Sequence, residues 1–276
     1  MPRGPYSLAL SARTMGDATR RFRDGVLGAT LEVDGRLERA QAWQVPDGRL
    51  VLRTESEGGL ELLRFVLGAD DDHSEFLLRF RDDPLLGRTL RVARGLRPLR
   101  LATVAHALLR ALCEQLIETK RARAIERRIV RAATQGLDGF HASPTGESLA
   151  RFSTAELRAL GLHARRAATL VRLCRSLDLE RLRDLPTETV ARRLEQERGL
   201  GPWSAGVVCL EGLGRYERGL VGDLGLIKLL SAMRGRWVEG WETAELLEPY
   251  GEWAGLASVY MLAGYGRGLV PLRSAA

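Results

Sequence analysis

The chain is poor in the residues that staple or metallate a fold. Its three cysteines, Cys113, Cys174 and Cys209, stand far apart with no Cys-x-x-Cys pair, which argues against a disulfide framework and against zinc or iron–sulfur ligation. Small core residues are the expected role. Four isolated histidines, His73, His106, His141 and His163, offer no ligand spacing either, so no metal site is expected. No apolar run approaches the roughly 20 residues of a membrane helix. The N-terminus lacks a basic segment followed by an apolar stretch, and a cytosolic protein without membrane contact is expected. Lysine is almost missing: Lys120 and Lys228 are the only two, and arginine supplies every other basic side chain. The net charge of +7 favours a polyanionic partner, because each neutralised phosphate releases condensed counterions. A skewed base composition would also enrich arginine, so charge alone does not establish nucleic-acid binding.

What is present divides the chain in two. In residues 1–98, Leu31-Glu32-Val33, a stretch to Val45 and Leu50-Val51-Leu52 alternate with Asp34-Gly35 and Pro46-Asp47-Gly48, the pattern of an antiparallel meander. Leu60–Leu67 and Ser74–Arg81 have helical spacing, giving a small α+β unit. From residue 99 to 276 the period becomes helical throughout, with no strand expected. Ser153-Thr154-Ala155-Glu156 is a capping box for a helix stopping at Gly161. Ala164–Leu177 forms the next helix, and Thr187 is the expected cap of another running to Glu197. The chain is therefore read as mostly α, with an α+β N-terminal domain.

The most informative segment is Arg198-Gly199-Leu200-Gly201-Pro202-Trp203-Ser204-Ala205. Two glycines make a tight turn and Pro202 stands where a helix begins, so a helix-hairpin-helix is predicted. N–H groups at the start of the second helix, with its dipole, suit a phosphate. Gly199, Leu200 and Gly201, with the Ser204 hydroxyl, are the candidate DNA-backbone contacts. An ordinary turn between packed helices would look similar. The second element is Asp223, 22 residues beyond Gly201, where it can cap a helix running from Leu224 to Met233.

Together with Gly222-Asp223-Leu224-Gly225-Leu226-Ile227-Lys228, the hairpin resembles the helix-hairpin-helix (HhH-GPD) DNA glycosylase superfamily, and within it is most similar to the DNA-3-methyladenine glycosylase II group. Glu114-Gln115-Leu116-Ile117, the Leu160-Gly161-Leu162 junction and the segment from Trp253 to Pro271 extend the resemblance from about Arg97 onward. The resemblance implies two helical lobes around an active-site cleft, and base excision repair at a bacterial nucleoid on double-stranded DNA containing a damaged base, with flipping of that base. Asp223 would be the catalytic carboxylate, stabilising positive character at C1′ while water attacks. An alkylated purine is already cationic and needs no strong acid to leave, and an ionised carboxylate is the electrostatic complement. Trp203 stands where bifunctional relatives carry a Schiff-base lysine, which implies hydrolysis without AP lyase activity. Lys228 lies on the Asp223 helix but is turned away by roughly 140°.

The resemblance further assigns Trp203, Val207, Leu224 and Leu262 to the base pocket, Gln115 and Leu116 to the minor-groove wedge, and a monovalent cation as a possible occupant of the hairpin carbonyls, no other cofactor being implied. A monomer is expected. Two departures stand out: Glu197-Arg198 precedes the hairpin where relatives often have Leu-Pro, and Val207, Leu224 and Leu262 replace aromatic rings. A less aromatic pocket leaves open a glycosylase for oxidised or deaminated bases, or a catalytically silent damage-binding protein. The stripe Arg123, Arg127 and Arg131, with Arg121 and Arg128, reads as a solvated helix face.

Overall fold

A computed structural model describes residues 2–13, 16–115 and 118–271. Helix α1 (Leu8–Ala12) leads into an antiparallel sheet of β1 (Arg20–Arg23), β2 (Val26–Val33), β3 (Arg36–Gln44) and β4 (Leu50–Arg53), in the order β1-β2-β3-β4. Val33 pairs with Arg36 across Asp34-Gly35, both at positive φ (49° and 76°), as a two-residue hairpin turn requires. Ala40 and Ala42 of β3 alternate inward. They meet Leu63 and Leu67 of α2 (Glu57–Leu67) in one small core.

Helices α3 (Ser74–Arg79) and α4 (Gly87–Val92) follow, then α5 (Val104–Glu114) and α6 (Thr119–Ala133). A short hairpin, β5 (Gly136–Leu137) and β6 (Phe140–His141), interrupts the helices where no strand is expected from sequence. Two-residue strands are too short to show a period. This hairpin is held by the sheet instead: Thr30 Oγ1 donates to Leu137 O at 3.0 Å, and His141 N to Ala18 O at 2.8 Å. Next come α7 (Gly146–Ala150), α8 (Thr154–Ala159), α9 (Ala164–Ser176) and α10 (Thr187–Glu195). The expected capping box at Ser153 and Glu156 forms, while Thr187 caps nothing and Pro186 takes that place. Helix α11 (Pro202–Val207) continues as a π-helical segment, Val208–Leu213, and is followed by α12 (Leu224–Arg234), α13 (Thr243–Leu247) and α14 (Ala254–Tyr265).

Two cores divide the helical part. Leu108, Leu112, Ile129, Leu170, Leu194 and Leu200 belong to one, drawn from α5 to α11. The other joins Val207, Leu226, Leu229 and Tyr260 to Phe76, Leu86 and Leu90. The segment carrying α3 and α4 thus packs on the C-terminal helices, although the change of composition falls at residue 98. Periodicity shows that such a segment is helical and leaves open which neighbour covers its apolar face. All three cysteines are free and buried, and burial pushes Cys174 and Cys209 up to about 12.

Candidate active site

The hairpin is built by long-range hydrogen bonds. Gly199 adopts φ +95°, a conformation an L side chain rarely takes. Its neighbour's carbonyl, Arg198 O, accepts from Thr169 Oγ1 of α9 at 3.0 Å, and Gly199 O accepts from Gln115 Nε2 at 2.9 Å. The same Gln115 amide donates to Ser204 Oγ at 2.9 Å. Ser204 is only 2% exposed, so its hydroxyl faces the protein and not a phosphate. Gln115, expected to face DNA, is likewise occupied in tying the end of α5 to the hairpin. Leu200 sends its side chain into the helical core, and its N–H goes to Glu197 O at 3.0 Å. Among the described residues, the Gly199 N–H has no backbone acceptor, and neither do the N–H groups of Gly201, Trp203 and Ser204. The last three begin α11, where helical donors are unpaired by construction. Glu197 pairs with Arg172, which offsets its charge beside the turn. Leu116, the expected wedge, lies outside the described residues.

At the head of α12, Asp223 is the N-cap: Oδ1 accepts from Gly225 N at 2.8 Å and from Leu226 N at 3.4 Å. Its second oxygen, Oδ2, accepts from Trp203 Nε1 at 3.0 Å. Two elements separated by 20 residues are therefore joined through one carboxylate. The sequence marks Trp203 as a ring near a base; the donor it presents to Asp223 is visible only when the helices meet. Leu262 packs against Gly225, so closely that a β-carbon there would overlap its Cδ2 and stand 3.1 Å from Asp223 Oδ1. Leu224 is exposed next to Asp223, whereas Val207 is buried in the second core. Of the four expected pocket residues, the structure thus gathers Trp203, Leu224 and Leu262 about Asp223 and turns Val207 inward. Cavities of about 400 and 350 Å³ lie elsewhere, against the sheet and between α3 and α4. Asp223 itself is partly exposed.

Behind the hairpin, α5 is pinned by a buried ionic network. Arg110, fully buried, donates to Asp17 Oδ2 and Glu211 Oε2, both at 2.7 Å, and to Glu126 Oε1 at 2.9 Å. His106 shares that Glu126 oxygen at 2.9 Å. Burial alone would raise both carboxyls; Arg20 and Arg110 outweigh it at Asp17, and Arg110 with His106 at Glu126, so that both are held below their ordinary range. Glu114, one residue before Gln115, is different. Burial, reinforced by Glu211 and Glu126, raises it to about 7 against the opposing effect of Arg123, 2.8 Å away. The arginine stripe of α6 is partly internal: Arg123 pairs with Glu114, and Arg128 donates to Leu160 O at 2.9 Å. No cluster of three metal-ligating side chains occurs among the described residues, nor a helix long and apolar enough to cross a membrane.

Comparison with known proteins agrees with this geometry. A "DNA-3-methyladenine glycosylase" of Bacillus subtilis (strain 168) is 24% identical over 226 residues, covering 78% of this chain and 75% of its own. The solved "3-methyladenine dna-glycosylase from Archaeoglobus fulgidus" superposes with a TM-score of 0.83 at 21% identity, covering 96% of this chain and 97% of its own. An 8-oxoguanine glycosylase/lyase of Clostridium acetobutylicum, solved with double-stranded DNA, gives 0.79 at 17% identity over 95% and 93% of the two chains. The fold is thus that of the helix-hairpin-helix glycosylases. Residues 109–253, which hold the hairpin, Trp203 and Asp223, match the description "HhH-GPD superfamily base excision DNA repair protein", and the chain belongs to that superfamily.

Proposed function

We propose that the protein is a monofunctional DNA glycosylase that hydrolyses the N-glycosidic bond of alkylated purines, of the 3-methyladenine type, in duplex DNA. The observation that carries this reading is Asp223, fixed at three points at the head of α12, directly across from the hairpin helix. Its carboxylate stands at the N-terminal end of α12 and accepts from three N–H donors. The flipped nucleotide would bring C1′ to the open edge of Oδ2. As the C1′–N bond breaks, its electron pair leaves with the base and neutralises the positive charge of the alkylated purine ring. The carboxylate stabilises the positive sugar until water bonds to C1′ and releases its proton toward Oδ2 and solvent.

The N–H groups of Gly201, Trp203 and Ser204 suit a DNA phosphate, with Leu116 following Gln115 as the wedge. The hairpin carbonyls of Glu197, Arg198 and Gly199 already accept protein hydrogen bonds, so a monovalent cation there would use their second lone pairs. Hydrolysis itself calls for no cofactor. Trp203 where a lyase needs an amine, and an exposed Lys228 on α12, support hydrolysis without strand cleavage.

The aliphatic side chains Leu224 and Leu262 beside Asp223 favour one second reading, a glycosylase for another modified base. The test is release of 3-methyladenine and 7-methylguanine from methylated duplex by the wild type and by Asp223→Asn. Release by the wild type alone is expected. Release by Asp223→Asn at the wild-type rate would refute the mechanism, and release of neither base by the wild type would refute the substrate class.

A further inference from the structure

Two tryptophans stand almost free of the fold: Trp237 is 61% exposed and Trp241 66%. Both lie on a strap, residues 235–242, that leaves the C-terminal end of α12 and runs back along it. Val238 N donates to Ser231 Oγ at 3.1 Å, midway along. Further on, the strap meets the turn before Asp223. A β-carbon on Gly240 would lie 3.3 Å from the Gly222 Cα, and 3.8 Å from Ile227 Cδ1. One hydroxyl stitches the two segments together: Thr243 Oγ1 accepts from Gly222 N at 2.8 Å and donates to Gly240 O at 2.6 Å.

Trp241 therefore adjoins the glycine that packs on Gly222, which itself precedes Asp223. At 3.8 Å per Cα step its Cα is within about 12 Å of that of Asp223. The strap is not loose. Glu242, 5% exposed, accepts from Glu239 N at 2.8 Å and Arg236 Nη1 at 3.1 Å and pairs with Arg234. The exposure of Trp241 is thus imposed by a well-held backbone. The acidic Glu239 is folded into a capping box with Glu242. The nearby surface of α12 carries Leu224, 56% exposed, and one turn on Lys228, exposed and without an ion pair among the described residues.

We infer that Trp241 is a DNA contact that stacks on the damaged strand beside the flipped nucleotide. This rests on the glycosylase reading and extends it. A strand delivering a nucleotide to Asp223 passes over the Gly222 turn and hence over the strap. A ring lining an enclosed base pocket would be covered by its walls, whereas Trp241 is open; its partner is the neighbouring nucleotide and not the flipped base. Stacking on an aromatic ring is tolerant of base identity. It supplies next to the site the aromatic surface that Leu224 and Leu262 lack, with Lys228 placed for a phosphate. Trp237, next to Val238 and so set against Ser231, eight residues along α12 from Asp223, is the internal control, with similar exposure.

The test is fluorescence anisotropy with a fluorescein-labelled duplex carrying one tetrahydrofuran abasic analogue, using wild type, Trp241→Ala, Trp241→Phe and Trp237→Ala. Loss of one stacked contact corresponds to about 5- to 150-fold in affinity, so Trp241→Ala is expected to bind at least about fivefold more weakly. Trp241→Phe should stay within about threefold of wild type, Trp237→Ala should match it, and the salt slope should not change because no phosphate contact is lost. Wild-type affinity in Trp241→Ala, or an equal loss in Trp237→Ala, would overturn the inference. If the wild type releases methylpurines while Trp241→Ala binds normally, only the role of Trp241 falls. If the wild type neither binds nor releases, the glycosylase reading falls with it.

Discussion

Asp223 uses its two oxygens for different donors, and an asparagine has only one carbonyl. In Asp223→Asn the capping position is conserved if the carbonyl faces Gly225 N and Leu226 N, but the NH2 then points at the Trp203 Nε1–H. Flipping the amide rescues the tryptophan and strips the cap. Either way at least one donor loses its acceptor, at a cost of about 1–3 kcal/mol. Because Trp203 is half-buried, the lower half of that range is expected. Trp203→Phe removes the donor, and its packing loss occurs in both backgrounds and cancels in a double-mutant cycle. The double variant should therefore be more stable than the two single losses predict, by a coupling of about 1–2 kcal/mol. Urea unfolding of the four proteins at equal m-values measures it. In parallel, base release should fall by at least roughly 10²–10³-fold in every Asn-bearing protein, since stability can be rescued by the second change and charge cannot. Additive stabilities would show that the Trp203–Asp223 hydrogen bond contributes nothing. Recovery of activity in the double variant would show that the charge of Asp223 is dispensable.

The remaining expectations are narrower. Ser204→Ala should leave the salt dependence of duplex binding unchanged, because its hydroxyl is buried against Gln115; a slope reduced by about one would mean a phosphate contact after all. Glu114, raised to about 7 from 4.5, contributes stability below its unfolded value that is lost as pH rises through 7. With the side chain 16% exposed, this amounts to about 3 kcal/mol at most. Melting temperatures of the wild type should therefore fall between pH 4.5 and 7 more than those of Glu114→Gln; parallel curves would contradict the assignment. Gly225→Ala places a methyl group against Leu262 and 3.1 Å from Asp223 Oδ1. Displacing the carboxylate should lower single-turnover release by roughly tenfold or more, and an unchanged rate would show that Leu262 simply moves aside.

Much of the architecture was readable along the chain because its signals are local. Asp34-Gly35 and Pro46-Asp47-Gly48 mark the meander turns, Ser153 and Glu156 announce a helix, and Gly199 to Pro202 spell a hairpin. Asp223 as the N-cap of α12 follows from the same short-range logic, since a side chain bonding to N–H groups two and three residues on needs no distant partner. The β5–β6 hairpin was not readable, because its two-residue strands exist by virtue of contacts to Thr30 and Ala18. Neither was the attachment of α3 and α4 to the C-terminal helices: an apolar stripe specifies that a face is covered, not by what.

At the site the division is the same. The residue types and their order, a glycine hairpin with a tryptophan and then an aspartate, were set by the sequence. Tertiary structure alone decided that Gln115 and Thr169 hold the hairpin carbonyls, that Ser204 and Val207 face inward, and that the Trp203 indole meets Asp223. It also packed Gly240, the neighbour of Trp241, against Gly222. Periodicity constrains neighbours within a turn or a strand pair, while these contacts span 18 to 89 residues and depend on how whole helices dock.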